Sequence, residues 1–116
     1  MTYKRGAIYL ANFNPAKGSE PGKVRPCLVL QNQALNEEGH DSVIVLPLTT
    51  QLLNDGHPMR YSVDARDNLR RNSQIMIDQI RAIDPRRFRG DALTELQAAE
   101  LAQVEGCLKI VLGIDA

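Results

Sequence analysis

Five short β-type runs, each bounded by glycine, proline or polar residues, precede a single segment of helical period, and this order limits what the chain can fold into. Residues 8–13 alternate, with Ile8 and Leu10 on one side and Tyr9, Ala11 and Phe13 on the other. Residues 26–30 are continuously apolar, the pattern of a well-buried strand. The run 42–50 carries Val43-Ile44-Val45-Leu46 and then Pro47, which suits an edge, a bulge or a strand end. Residues 59–63 alternate weakly, and 73–83 read as one long β-rich stretch closed by an Asp84-Pro85 turn. The stretches 14–23, 32–41 and 51–58 read as loops. The period changes near the C-terminus. Thr94 and Gln97 have the spacing of a capping box. Leu101, Val104, Leu108 and Val111 then recur at steps of three and four, one face of an amphipathic helix, and Gly113 is its expected stop. Gly106 within that helix costs up to ~1 kcal/mol relative to alanine, and close packing is the expected reason for it. No βαβ alternation occurs, so a doubly wound sheet is disfavoured. The expected fold is mainly β with a C-terminal α-helix, arranged as a small barrel or sandwich.

The chain of 116 residues is one domain's length, and a domain 1–116 buries a modest core that dimerisation would extend. No apolar stretch approaches the ~20 residues of a membrane span. The N-terminus enters the first run without the apolar segment of a signal peptide, so a cytoplasmic protein with no membrane partner is expected. Cys27 and Cys107 lie in apolar runs and read as small buried hydrophobes. Net charge is zero, with 14 basic and 14 acidic residues, but the charge comes in blocks. Residues 1–36 and 60–90 each carry a net +4, while 37–59 and 91–116 each carry −4. If the two basic blocks meet in space, a neutral protein presents a positive groove to phosphates.

The inventory of catalytic groups is thin. His40 and His57 sit in polar loops and read as solvated histidines, and neither has a partner at metal-ligand spacing. No Walker-type phosphate loop and no Ser-centred nucleophile elbow occurs. What remains lies at strand ends beside loops, where a small β fold builds a site. Gly18-Ser19-Glu20 is a polar loop, Arg25 opens a buried strand, Thr49-Thr50 ends another, and Asp78-Gln79-Ile80-Arg81 lies in the last. Arg25 directly precedes Pro26 and is therefore held extended. Its guanidinium suits bidentate contact with a phosphate, or an ordinary ion pair with an acidic neighbour such as Glu20.

The ordered set Arg5-Gly6-Ala7-Ile8-Tyr9-Leu10, Asn14-Pro15, Gly18-Ser19-Glu20, Arg25-Pro26-Cys27-Leu28-Val29-Leu30-Gln31-Asn32, Val43 to Thr50 and Asp78-Gln79-Ile80-Arg81-Ala82-Ile83-Asp84, with a helix closing on Leu112-Gly113, resembles the MazF/PemK toxins over nearly the whole chain. The resemblance implies an SH3-like β-barrel, a homodimer, and metal-independent, sequence-specific cleavage of single-stranded RNA with no cofactor. It also implies a cognate antitoxin, with the basic runs around Lys17, Lys23 and Arg25, and around Arg81, Arg86 and Arg87, as docking surfaces. At the family's motif positions Arg25 and Thr49 are implied to be catalytic and Glu20 to support them. Ser73 and Gln79 fall where RNA is contacted, and Ser19, Thr50, Arg81 and Lys17 join them as expected RNA-binding residues.

RNA supplies its own nucleophile, the 2′-OH. Cleavage then yields a 2′,3′-cyclic phosphate and a 5′-OH. Arg25 suits an electrostatic clamp or acid but not a base, because guanidinium scarcely deprotonates. Glu20 is the better base on chemistry. Two rival readings share the fold: a gyrase-poisoning toxin and a noncatalytic SH3-like module. The first depends on a C-terminal aromatic where this chain has Leu112-Gly113-Ile114-Asp115-Ala116; the second needs an aromatic-lined groove, and the chain has no Trp, two Phe and three Tyr.

Overall fold

The computed structural model describes residues 2–15, 17–19 and 22–114. The elements run β1 (Ala7–Asn12), β2 (Val24–Val29), α1 (Gln33–Glu37), β3 (Val43–Thr49), β4 (Arg60–Val63) and β5 (Ser73–Met76). A 3-10 turn (Ile77–Gln79), β6 (Arg81–Ile83), a second 3-10 turn (Pro85–Arg87), β7 (Phe88–Glu95) and α2 (Ala98–Leu112) follow. Seven antiparallel strands make one sheet in the order β4-β5-β3-β2-β1-β7, with β6 also on β3. The architecture is the expected mainly β fold with a C-terminal helix. The sheet is not closed, however: β4 and β7 stand at opposite ends of the order with no ladder between them among the described residues.

Alternation along the strands gives the sheet two apolar faces. Ile8, Leu28, Leu46, Leu48, Ile75 and Ile77 form one core, which α2 covers with Val104 and Cys107. Tyr9, Phe13, Cys27, Val29, Val45 and Ile83 form the other, where Tyr3 stacks on Phe88 at 4.1 Å between ring centres. Full burial of each such aliphatic or aromatic side chain contributes about 1.5–3 kcal/mol. Both cysteines are buried, as expected, and burial pushes the Cys27 thiol up to about 12.

Strand β3 is shared by three neighbours. One edge takes β2 opposite residues 45–47; the other is divided between β6, opposite 43–45, and β5, opposite 48 and 49. The stretch 73–83 is therefore not one strand. It breaks at the Ile77–Gln79 turn so that its two halves pair with different parts of β3. Pro47 lies within β3 rather than at an end. Leu30 donates to the Ile44 carbonyl, which fixes the phase of the β2–β3 ladder and turns the Pro47 nitrogen away from β2. That nitrogen points into the gap between β6 and β5, where no ladder bond is lost.

Three further expectations are corrected. Residues 32–41 contain α1, capped by Asn32, whose side chain accepts from the Ala34 N–H. Thr94 does not cap α2. It lies one residue before the end of β7 at Glu95, and its hydroxyl donates to Asp67 at 2.6 Å, while the N-cap of α2 is Gln97, whose N–H donates to Glu100 at 2.8 Å. Gly106 serves no close packing, since a Cβ there would meet nothing within 4 Å. Gly113 does end the helix, with φ +73°.

Arg66 ties β7 to α2. It donates to Glu100 at 2.9 Å, to the Glu95 carbonyl at 2.6 Å and to the Thr94 hydroxyl at 3.3 Å. Its hydrogen bond holds the Glu100 carboxyl below its ordinary value against the opposing effect of burial. Stability from this pair is complete above the ordinary glutamate range and is lost as pH falls through the lowered folded-state value. Glu100→Gln is expected to cost about 1 kcal/mol at neutral pH, and denaturant melts should show the gap from wild type closing in acid.

Candidate active site

A cleft of about 550 Å³ opens where β2, β3, β4 and β5 end together. Its walls include Lys23, Arg25, Thr49, Thr50, Gln51, Arg60, Arg71 and Ser73. Four of these are cations and none is a carboxylate. Lys23 and Arg25 come from the first basic block, Arg60 and Arg71 from the second, so the two blocks do meet. None of the four ion pairs among the described residues uses these cations. Their field faces the cleft.

Arg25 is fixed by an exchange of donors. The β2–β3 ladder directs the backbone of residue 26 at the Leu48 carbonyl, but residue 26 is proline and has no N–H to give. The ladder stops at Cys27 and Pro47. The Arg25 guanidinium reaches across instead, donating Nη1 to the Leu48 carbonyl at 3.2 Å and Nε to the Gly22 carbonyl at 2.8 Å. Both partners are neutral, so the charge is not cancelled. Partial burial lowers the guanidinium pKa from its ordinary value. Lys23, just before it, has φ +71°, an unusual conformation for a residue with a side chain.

Continuing the β2–β3 register by two residues sets Thr49 opposite Arg25. Thr49 is nearly buried, and its Oγ1 accepts from the Gln51 N–H at 3.1 Å, which leaves the hydroxyl proton to donate into the cleft. Ser73 is buried beside it and donates to the Arg71 carbonyl at 2.9 Å. The structure thus brings together Arg25, Thr49, Thr50 and Ser73. The other expected residues lie elsewhere. Gln79 is half-buried in the 3-10 turn, and Arg81 lies over the Phe13 ring at 5.4 Å; neither lines the cleft. Lys17 and Ser19 are exposed in the β1–β2 loop. Glu20 lies outside the described residues. A second depression of about 480 Å³ adjoins the cleft, sharing Pro26, Thr50, Arg71 and Ser73 and adding the apolar Leu10, Leu69, Ala92 and Leu93.

Gln51, Arg60 and Arg71 are not singled out by the sequence, and Lys23 only as part of a docking surface for an antitoxin. The block pattern of charge was the available signal, but it does not say which arginines converge.

Fold and cleft together define a small, mainly β protein with a cationic cleft at the ends of its strands. The model of the PemK-like, MazF-like toxins of type II toxin–antitoxin systems matches residues 4–112, and the chain belongs to that family. Endoribonuclease EndoA of Bacillus subtilis (strain 168) is 37% identical over 115 residues, covering 98% of this chain and 97% of its own. The crystal structure of MazF (Form-I) from Deinococcus radiodurans superposes with a TM-score of 0.82 at 30% identity, covering 97% of this chain and 98% of its own. The MazE–MazF complex (Form-III) from the same organism gives 0.77 at 29%, covering 99% of this chain and 100% of its own.

The donor exchange at residue 26 is directly testable. Pro26→Ala restores an N–H for the Leu48 carbonyl and should release Arg25. Thermal melting is expected at or above the wild-type midpoint, while titration with polyphosphate should show affinity lower by about tenfold, the equivalent of ~1.4 kcal/mol. Unchanged polyphosphate binding in a folded Pro26→Ala protein would remove this account of how Arg25 is held.

Proposed function

We propose that the chain is a sequence-specific endoribonuclease toxin that cuts single-stranded RNA in the cytoplasm without metal or cofactor, works as a homodimer and is neutralised by a cognate antitoxin. The observation that carries the reading is the half-buried Arg25 guanidinium, tethered to two carbonyls and set opposite the Thr49 hydroxyl in a cleft whose lining is cationic. EndoA's name as an endoribonuclease and the MazE–MazF complex support it over gyrase poisoning or a noncatalytic module.

In this reading the scissile phosphate sits between Arg25 and Thr49. The 2′-OH loses its proton and attacks phosphorus, the P–O5′ bond breaks, and the 5′-oxygen leaves with a proton as 5′-OH. The other product is a 2′,3′-cyclic phosphate. Arg25 stabilises the charge that grows on the phosphorane oxygens, an effect worth several kcal/mol when the donor is preorganised. Arg25 is also the donor at hand for the departing oxygen, and burial favours that role by lowering its pKa. Thr49 gives a hydrogen bond to the same phosphate. Glu20 takes the 2′-OH proton. Flanking bases, splayed out as single-stranded RNA allows, meet Thr50 and Ser73, with the apolar depression beside them. Ser19, Lys17, Gln79 and Arg81 extend the contacts beyond the cleft.

The homodimer and the antitoxin both need a surface. Val24, Leu52, Leu53 and Met59, each about half exposed, supply apolar area around the cleft. The antitoxin, on this reading, covers the cationic cleft with an acidic, partly apolar segment.

The decisive experiment incubates the protein with long single-stranded RNA in EDTA and maps the ends. Discrete cuts with 5′-OH ends are expected, reduced by roughly 100- to 1,000-fold in Arg25→Ala. A folded, antitoxin-free protein that leaves several RNAs intact would sink the reading. For the base, Glu20→Gln should slow cleavage by about 100-fold or more and abolish the acidic limb of the pH–rate profile. Full activity across the pH series would exclude Glu20.

A further inference from the structure

Arg60 is seated in the cleft with more care than a surface arginine needs. Its Nη1 donates both to the Gln51 carbonyl and to Gln74 Oε1, each at 3.1 Å. Gln74 is itself buried in β5 and grips the opposite segment as a peptide group would: Oε1 accepts from the Leu53 N–H at 3.0 Å and Nε2 donates to the Leu53 carbonyl at 2.9 Å. The same segment is held at its other end by Thr49, through Gln51. Gly56 makes the space. A Cβ there would come within 2.7 Å of Arg60 Cβ and 2.8 Å of its Cγ, so a larger residue would push the arginine stem aside. Turn bonds from Met59 and Arg60 back to the Gly56 carbonyl fix the approach.

The partners holding Arg60 are a carbonyl and an amide, so its full charge remains. One Nη1 satisfies both anchors, and Nε and Nη2 remain to donate. A guanidinium held this way in a cleft already containing Arg25 is a preorganised anion clamp. We infer that Arg60 is a second phosphate-binding residue of the cleft, gripping an RNA phosphate next to the scissile one, and that Gln74 and Gly56 are positioning residues that hold it there. The inference rests on the ribonuclease reading and adds to it a residue that fixes how the strand lies across the cleft. Arg60 acts on binding and register; Arg25 acts on the reacting phosphate.

The test uses the intact protein and a short, labelled, fully 2′-O-methylated RNA that contains the mapped cut site and cannot be cleaved. Affinity is read by anisotropy over a salt series, beside steady-state cleavage of the unmodified RNA. Arg60→Gln is expected to weaken binding about tenfold, raise KM with little change in kcat, and flatten the slope of log K against log salt by about 0.7, the loss of one single-strand phosphate contact. Arg60→Lys should keep the slope and recover part of the affinity. Gln74→Met should keep the slope and lose affinity, because the charge stays but its seat is gone. If Arg60→Gln melts early, Arg60→Met, which keeps the stem, carries the same expectation.

A folded Arg60→Gln or Arg60→Met protein with wild-type affinity and slope overturns the proposal. So does weaker binding with an unchanged slope, which assigns the loss to the loop rather than to phosphate charge. Arg25→Ala provides the reference. If it flattens the slope while Arg60→Gln does not, this proposal fails and the nuclease reading stands. If the wild type neither cuts nor binds RNA, both fall.

Discussion

A missing hydrogen in the backbone organises this protein's site. In the middle of a sheet, a proline normally costs a ladder bond and is excluded. Here Pro26 sits where its absent N–H would have met the Leu48 carbonyl, and the vacancy is filled by the neighbouring guanidinium. The exchange ends the β2–β3 ladder, separates the strand tips, and holds a cation in a half-buried place without a carboxylate beside it. A salt bridge would have fixed Arg25 equally well, but it would also have neutralised it. Carbonyls fix a guanidinium and leave its charge for an incoming anion.

The rest of the sheet serves that separation. Because β3 divides one edge between β6 and β5, the polypeptide must turn a corner between them, and the Ile77–Gln79 turn is that corner. The corner lets β4 and β5 approach the tips of β2 and β3 from the far side, carrying Arg60 and Ser73 to the cleft. Below, α2 supplies apolar cover through Val104 and Cys107. The cleft walls are strand ends and side-chain clamps on a buried floor. That is a rigid arrangement for a cleft with no histidine among its described lining residues, and on the proposed reading its catalysis depends on the placing of charge.

Much of this is legible in the sequence, and what is not shares a cause. Strands β1, β2 and β3 were readable because their apolar runs are long and punctuated by Gly and Pro. The helix was readable from its period and from Gly113. β7 was missed because its exposed stretch, Arg89-Gly90-Asp91, carries no apolar alternation; tertiary pairing with β1 makes it a strand. The run 73–83 looked continuous because sequence does not show that its halves serve different parts of one neighbour. Thr94 looks like a cap because its spacing to Gln97 is correct, yet its hydroxyl is taken up by donating to Asp67 and accepting from Arg66. In the cleft, Arg25 and Thr49 were found through ordered motifs. Arg60 and Gln74 were not, since their meaning lies in a turn at Gly56 and a clamp on residue 53 that only the folded chain brings together. The two basic blocks do converge, though few of their members reach the cleft: Arg66 serves α2, and Arg86 pairs with Asp84.

The open sheet has one more consequence. Strand β7 lies at one end of the order, and its pairing with β1 slips between Ile8 and Leu10. Gly90 there has φ +76°, so the strand bends as it passes. At the other end, β4 is only four residues long. A kinked margin and a short one make poor templates for a further strand, and β6, paired only with β3, is three residues long, so the margins of the described sheet offer crowded copies of the protein no long straight row of amides to zip onto. The sheet stays unclosed, and the geometry of its margins works against fibrous self-assembly without the need for a barrel seam.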